Sequence, residues 1–267
     1  MGKLTLLCTI VMVVALVHSG ISDAAIDPST AMGIWLLDEG SGDTAYDSSG
    51  NDHHGTINGA QWVDGKFGGA LSFDGQDDFV DCGNSELLRI SAGSMAAWIS
   101  INVSDDSGLS AVTLPYDDGD AWDDPWRSLG LGSWRGSLRY WMAIDGNNAE
   151  MQPGDINTNQ WYHLVATFDG TSRKAYLDGE LKFEAETPGT IIYGDPKPSF
   201  VIGDRNVNRA ASGERMNGLV DDVGVFNVAL SDSDVSDIMN NGLQGVVAVE
   251  PSGKLATTWA TVKNRRD

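Results

Sequence analysis

The chain has 267 residues, with 38 Asp and Glu against 17 Lys and Arg, and a net charge of −21. That balance repels phosphate backbones and argues against nucleic acid as a partner. It suits solubility outside the cell and the binding of divalent cations. The length admits one large all-β domain or two small ones.

The chain opens MGKLTLLCTIVMVVALVHSGISDA. Lys3 precedes an apolar core from Leu4 to Val17, and Ser22, Asp23 and Ala24 lie at the cleavage position, which predicts a secretory signal peptide over residues 1–24. The core is too short to span a bilayer comfortably, and no later apolar run is long enough, so no membrane span is expected in the mature chain. The mature chain then keeps one cysteine, Cys82, read as a small buried hydrophobe without a disulfide partner.

From Gly33 onward, short strand-like runs alternate with turn dipeptides. The runs are Gly33–Asp38, Ala70–Phe73, Met95–Ile101, Leu138–Ile144, Tyr162–Phe168, Lys174–Leu177, Phe200–Ile202 and Leu219–Phe226. Asp-Gly or Asn-Gly falls at 58–59, 64–65, 74–75, 118–119, 145–146, 169–170, 178–179, 217–218 and 241–242, where positive φ and tight hairpins are tolerated. Glu180–Glu186 alternates charge with apolar residues as a strand with one wet face. Short strands with turns every ten residues or so predict an all-β, two-sheet antiparallel sandwich. Trp161, Leu164, Val165, Phe168, Tyr176 and Leu177 are expected to fill one sheet face.

One helix follows. Ser231 with Asp234 three residues later resembles a capping box; Val235, Ile238 and Met239 share a face, and Asn241-Gly242 ends it. It is expected to cap an open edge or end of the sandwich. The domain is drawn over residues 25–245, with 246–267 a flexible basic tail.

Three segments, GIWLLDEGSGDTAYDSSGNDHHGTING (33–59), FDGQDDFVDCGN (73–84) and WYHLVATFDGTSRKAYLDGEL (161–181), together with DDVGVFNVALS (221–231), resemble the laminin G-like jelly roll of the concanavalin A-like superfamily, in its pentraxin-related branch common among secreted bacterial proteins. The resemblance spans about two hundred residues. It implies a jelly-roll fold, and speaks less specifically to function. It also implies a structural calcium joining an N-terminal loop to an acidic residue near the last strand, with Glu39, Asp47, Asn51 and Asp222 as ligands by motif position. The Gly-rich loops 38–42 and 47–53 carry the oxygen donors such an ion requires. The loop is not an EF-hand: counted from Asp47, position six is Asp52 and position twelve is Asn58. Side-chain turns made by Asp47 and Asn51 are the competing reading.

The resemblance fails over 114–135, where Tyr116, Asp120, Trp122, Trp126, Arg127 and Trp134 mix aromatic faces, carboxylates and cations. That mixture suits an extracellular glycan or glycoprotein, and equally a protein interface; packing of the Trp residues onto the sheet is the structural alternative. Enzyme signatures are missing. No alternating Glu-x-Asp strand of the jelly-roll glycosidases occurs, Glu184 and Glu186 being interrupted by Lys182, and there is no G-x-S-x-G elbow or phosphate loop. No zinc set emerges from His53, His54, His163 and Cys82; His163 reads as a hydrogen-bonded core or surface residue. The expectation is a secreted, non-catalytic glycan-binding module. A protein–protein adhesion module is the alternative and a glycoside hydrolase the distant one.

Overall fold

The computed structural model describes residues 26–103, 108–114, 129–193, 199–204 and 214–246. Its strands are β1 (Ala31–Trp35), β2 (Thr44–Ala45), β3 (Gly55–Asn58), β4 (Gln61–Asp64), β5 (Gly69–Asp74), β6 (Phe79–Asp81), β7 (Gly93–Ile101), β8 (Leu109–Leu114), β9 (Leu129–Trp134), β10 (Ser137–Ile144), β11 (Asn147–Met151), β12 (Trp161–Phe168), β13 (Ser172–Leu177), β14 (Glu180–Glu186), β15 (Val201–Ile202) and β16 (Asn217–Phe226). They form two eight-stranded antiparallel sheets. The first runs β14-β13-β12-β7-β16-β5-β4, with β1 also on β16; the second runs β11-β10-β9-β8-β15-β6-β3-β2. The all-β jelly-roll sandwich expected from the sequence is the fold observed.

Alternation decides which side chains meet between the sheets. Met95, Ala97, Ile99 and Ile101 of β7 point inward, as do Leu138, Tyr140, Met142 and Ile144 of β10. Trp35 stacks on Phe200 across the gap, centroids 5.0 Å apart at 13°. The six residues assigned to one face of the β12–β13 hairpin in fact divide. Leu164, Phe168 and Leu177 join this core, whereas Val165 and Tyr176 lie on the opposite face, as does Trp161 by its pairing with Ser100, because neighbours along a strand must point opposite ways. Cys82 is free and buried, as expected.

The helix, α1 (Asp232–Val246), has the predicted cap: the Ser231 N–H donates to Asp234 Oδ2 at 2.9 Å and the Asp234 N–H to Ser231 Oγ at 3.2 Å. It breaks at Gly242, at φ 70 and ψ 170, and one further turn follows. It covers the outer face of the first sheet rather than an edge or end. Val235, Ile238 and Leu243 bury against Ile34, Ala96, Val165, Tyr176 and Phe226, and the Tyr176 hydroxyl donates to Asp232 at 2.7 Å.

The long strand β16 serves two partners on one side. Asn217–Val220 pair with β5, and Val223–Phe226 with β1. The register shift against β7 falls between them, at Asp221–Gly224, with Asp222 in the left-handed region at φ 48. A bulge re-aims side chains and bends a strand. Here it turns Asp221 and Asp222 to hold the segments converging there. The Lys66 and Phe67 N–H groups donate to Asp221 Oδ2 at 2.8 and 2.9 Å, and the Leu243 N–H to Asp222 Oδ2 at 2.8 Å.

Candidate functional site

The outer face of the second sheet carries Trp134, Arg139 and Trp141, brought together by the pairing of β9 with β10. In β9, LGLGSW, Leu129 and Leu131 point to the core, so the alternate positions Gly130, Gly132 and Trp134 face outward. Opposite the two glycines stand Trp141 (on Gly130) and Arg139 (on Gly132) of β10. A Cβ at Gly130 would lie 2.2 Å from the Trp141 ring; the glycine lets the indole lie against bare backbone.

Arg139 sits between two rings, its guanidinium carbon 5.6 Å from the Trp134 centroid and 5.1 Å from that of Trp141. It pairs with Glu150 of β11, which also accepts from Asn148 Nδ2 at 2.8 Å. Arg139 is 8% exposed and Trp141 5%, so the inner part of this ladder is fixed. Trp134 is half-buried, and is the open end. Arg135, in the positive-φ turn Arg135-Gly136, stands over it at 5.6 Å. Each such cation–π contact contributes ~0.5–2 kcal/mol. Chemically, the ladder offers a rigid aromatic edge and guanidinium donors, with the buried cation already neutralised by Glu150.

Of the predicted ligand-binding residues, Trp134 stands in this ladder. Tyr116, Asp120, Trp122, Trp126 and Arg127 lie outside the described residues. Their segment leaves from Leu114 and returns at Leu129, a pair in register. Gly130 follows at once with Trp141 opposite, so the ladder Trp141–Arg139–Trp134 begins at the root of that segment. Sequence reading missed Arg139, Trp141 and Glu150, although the alternation of the predicted strand Leu138–Ile144 already put Arg139 and Trp141 on its wet side.

The four expected calcium ligands occupy different places. Asp47 is buried, and its carboxylate accepts from the Ile34, Ser49 and His53 N–H groups and the Ser49 hydroxyl, at 2.8–3.0 Å. Asn51 donates its amide to Ala31 O and Met32 O. Both therefore do the turn-building work of the competing reading, and Asp47 has no lone pair left for an ion. Glu39 accepts the Tyr46 N–H at 2.7 Å on Oε1, while its Oε2 is buried without a partner. Asp222 is buried beneath α1. Among the described residues, the three acidic side chains whose oxygens all lie within 4.8 Å are Asp74, Asp77 and Asp78, in the β5–β6 turn. The 47–51 turn does not fit as a metal cradle; Glu39 and Asp222 keep the donor chemistry for one.

A third group lies on the outer face of the first sheet, where His163, Trp98 and Asp221 form one row across β12, β7 and β16. The His163 and Trp98 rings lie 5.0 Å apart, and Lys66 Nζ stands 4.4 Å over Trp98. Neither His163 ring nitrogen has a hydrogen-bond partner, nor does Trp98 Nε1 or Asp221 Oδ1. His163 is thus core, but without the side-chain hydrogen bonds expected of it. Burial, with Lys66 nearby, pushes its pKa down to about 3. Burial raises Asp221 to about 7, the Asp222 charge adding to it against the N–H groups of Phe67 and Lys66. Burial likewise raises Asp222 to about 7, with Asp38 adding and the Leu243 N–H opposing.

No curated protein matches the chain. Solved structures do. Domain 4 of AbnA, a GH43 extracellular arabinanase from Geobacillus stearothermophilus solved with arabinotriose, aligns at TM-score 0.62 and 21% identity, over 79% of this chain and 98% of that one. The binding domain of Paraclostridial Mosquitocidal Protein 1 aligns at 0.59 and 15%, over 80% of this chain and 52% of that one. A Trypanosoma rangeli sialidase mutant aligns at 0.59 and 18%, over 85% of this chain and 35% of that one. The chain thus spans about half or less of the latter two, and these likenesses show a shared fold. The family described as Laminin_G_3, of the concanavalin A-like lectin/glucanases superfamily, matches residues 74–236. With more than half of its length in that match, and the two-sheet sandwich to go with it, this chain belongs to the laminin G-like family of that superfamily.

Proposed function

We propose that this protein is a secreted, non-catalytic module that binds extracellular glycan, free or on glycoproteins, through the outer face of its second sheet. The observation carrying this reading is the ladder Trp141–Arg139–Trp134. Rigid aromatic surface backed by compensated charge suits sugar C–H faces and hydroxyls, and costs little ordering on binding. The arabinanase domain solved with arabinotriose supports the ligand class by analogy of fold, and the toxin domain named for binding supports a binding role. Absence of catalysis is supported by Glu150: held by Arg139 and Asn148, it is poorly placed to act as one of a glycosidase's two carboxylates. No helix among the described residues is long and apolar enough to cross a membrane. The proposed secretion rests on the signal-peptide pattern of residues 1–24, which lie outside the described residues, and an intact mass beginning within one residue of Ala25 tests it.

A glycan array, read with and without calcium, tests the binding. Affinity for at least one glycan, lost in Trp134→Ala, is the expected result. Capture of protein partners that free oligosaccharide does not compete would establish an adhesion module instead, and glycan hydrolysis would establish an enzyme.

We further propose one structural calcium, held by Glu39 and Asp222 and not by Asp47 or Asn51. The support is the buried, unpartnered Glu39 Oε2 and the buried Asp222 carboxylate, which the Leu243 N–H engages on Oδ2. A ligand of the native state alone adds about 2.7 kcal/mol at a hundredfold excess over Kd, so chelation is expected to lower Tm by several degrees. Asp222→Asn should remove most of that difference. An unchanged melting curve in metal-free protein sinks the site.

A further inference from the structure

At the free edge of the first sheet, β4 borders an open groove of about 860 Å³, lined by Trp62, Asp38, Asp64, Gly40, Gly68 and Gly69, with Val63 at its rim. It lies on the other sheet from the ladder and shares no residue with it. Three features give it the character of a built site. The Trp62 ring is half-buried against the core, and its indole N–H donates to Gly42 O at 2.9 Å; the exposed part of the ring is therefore held in one orientation. Asp38 is fixed as well, its Oδ1 accepting the Gly69 N–H at 2.6 Å, while Asp64 is exposed at the end of the strand. Gly40 and Gly68 have positive φ, 67 and 73. A Cβ at Gly68 would lie 2.2 Å from Asp38 Oδ1. At Gly40, Gly68 and Gly69 the lining is thus bare peptide backbone.

We infer that this groove is a second binding site, for a neutral sugar residue stacked on Trp62 with its hydroxyls donating to Asp38 and Asp64. The charges choose the class. Two carboxylates and no lining cation, on a chain of net charge −21, repel uronates, sialic acids and sulfated sugars. Carboxylates accept strongly from vicinal hydroxyls, and an aromatic face matches the apolar side of a sugar ring. A peptide strand added to the β4 edge is the rival occupant. It has only four residues to pair with, and would gain nothing from the fixed indole at the groove floor.

The inference shares a ligand class with the proposed function but none of its residues, so the two can fail separately. The indole N–H resonance of Trp62, identified as the signal missing from Trp62→Phe, is followed while the full chain is titrated with arabinotriose and cellohexaose, then with oligogalacturonate. The expected result is a saturable shift with at least one neutral probe, none with oligogalacturonate, and binding at this signal weakened about tenfold or more in Asp64→Asn, the loss of one charge-assisted hydrogen bond. Asp64 is exposed, so that variant keeps the fold even if Trp62→Phe does not. A ladder response, read as a shift lost in Trp134→Ala, without any Trp62 response overturns this site and leaves the proposed function standing. The converse overturns the proposed site alone. A Trp62 shift produced equally by oligogalacturonate, by calcium alone or by an unrelated peptide overturns the inference, as does silence with every probe.

Discussion

The two outer faces of this sandwich are finished in opposite ways. On the first sheet the chain covers itself: α1 and the 65–69 loop close over aliphatic and aromatic residues, trapping His163, Trp98 and Asp221 with polar atoms unpaired. On the second sheet the face carries large rings and guanidinium groups, and its buried cation, Arg139, has the Glu150 carboxylate beside it, although Arg139 Nε and Ser110 Oγ are buried there without partners. A face closed by its own chain can leave polar atoms unmatched because packing holds it. The buried cation of the second sheet is paired with a carboxylate, whereas the buried Asp221 of the first is held by backbone N–H groups.

Breaking the covered face should have the largest effect. Phe226 is fully buried beneath α1, and Phe226→Ala is expected to cost ~3–5 kcal/mol, roughly 10 °C in Tm for a domain of this size. Glycan affinity of the protein that remains folded should not change; a lost affinity would mean that the two faces are coupled.

The trapped acids give the next effect, and it has a sign. In metal-free protein the folded Asp222 carboxyl titrates near 7, against 3.8 for its ordinary value. A raised carboxyl contributes stability that is complete below the unfolded pKa and disappears as pH rises through the folded one. Asp222→Asn in chelator should therefore match wild type near pH 4 and exceed it by ~1–3 kcal/mol above pH 7, the Asn Oδ1 still accepting from Leu243. His163 runs the other way: its depressed pKa removes stability as pH falls from about 6.5 toward 3. It affects both proteins equally and cancels in the difference. Urea midpoints at pH 4 and pH 8 check this, and a wild type that is the more stable at pH 8 in chelator refutes it.

On the second sheet, Gly130→Ala should cost ~1–3 kcal/mol, because the new methyl group meets the Trp141 ring at 2.2 Å and something must move. Near-UV circular dichroism should change with it, and glycan affinity should fall as Trp141 tilts away from Arg139. The smallest effect on stability belongs to Trp134→Ala, about 1 kcal/mol for a half-buried side chain, with the largest effect on glycan binding. A melting temperature that falls as far as that of Phe226→Ala would make Trp134 part of the fold and remove it from the site.

What could be read in the sequence follows the same division. The eight predicted runs correspond to β1, β5, β7, β10, β12, β13, β15 and β16, and Glu180–Glu186 to β14, because each alternates or carries β-branched and aromatic residues. β2, β3, β4, β6, β8, β9 and β11 fall outside those runs: most of them are short, the LSAVTL of β8 carries no clear alternation, and the LGLGSW of β9 has glycine where a polar residue would mark the outward face. Those glycines are what admit Trp141, so the feature that hid the strand is the one that builds the ladder. Trp134 was found by its type, whereas Arg139, Trp141 and Glu150 emerge only once β9, β10 and β11 are set in register. Asp47 and Asn51 were chosen by motif position. Nothing in a loop sequence separates a carboxylate that binds an ion from one that binds four backbone and hydroxyl donors.

The double allegiance of β16 also governs when the domain can exist at all. Asp221 grips backbone 155 residues earlier, and the strand it belongs to completes β1, β5 and β7 at once. Until residue 226 has been made, three strands of the first sheet are waiting for the same neighbour, with hydrogen-bonding edges open. Such long-range pairing is slow to nucleate and exposed to mispairing. A nascent chain of this kind gains little order before its synthesis is nearly over.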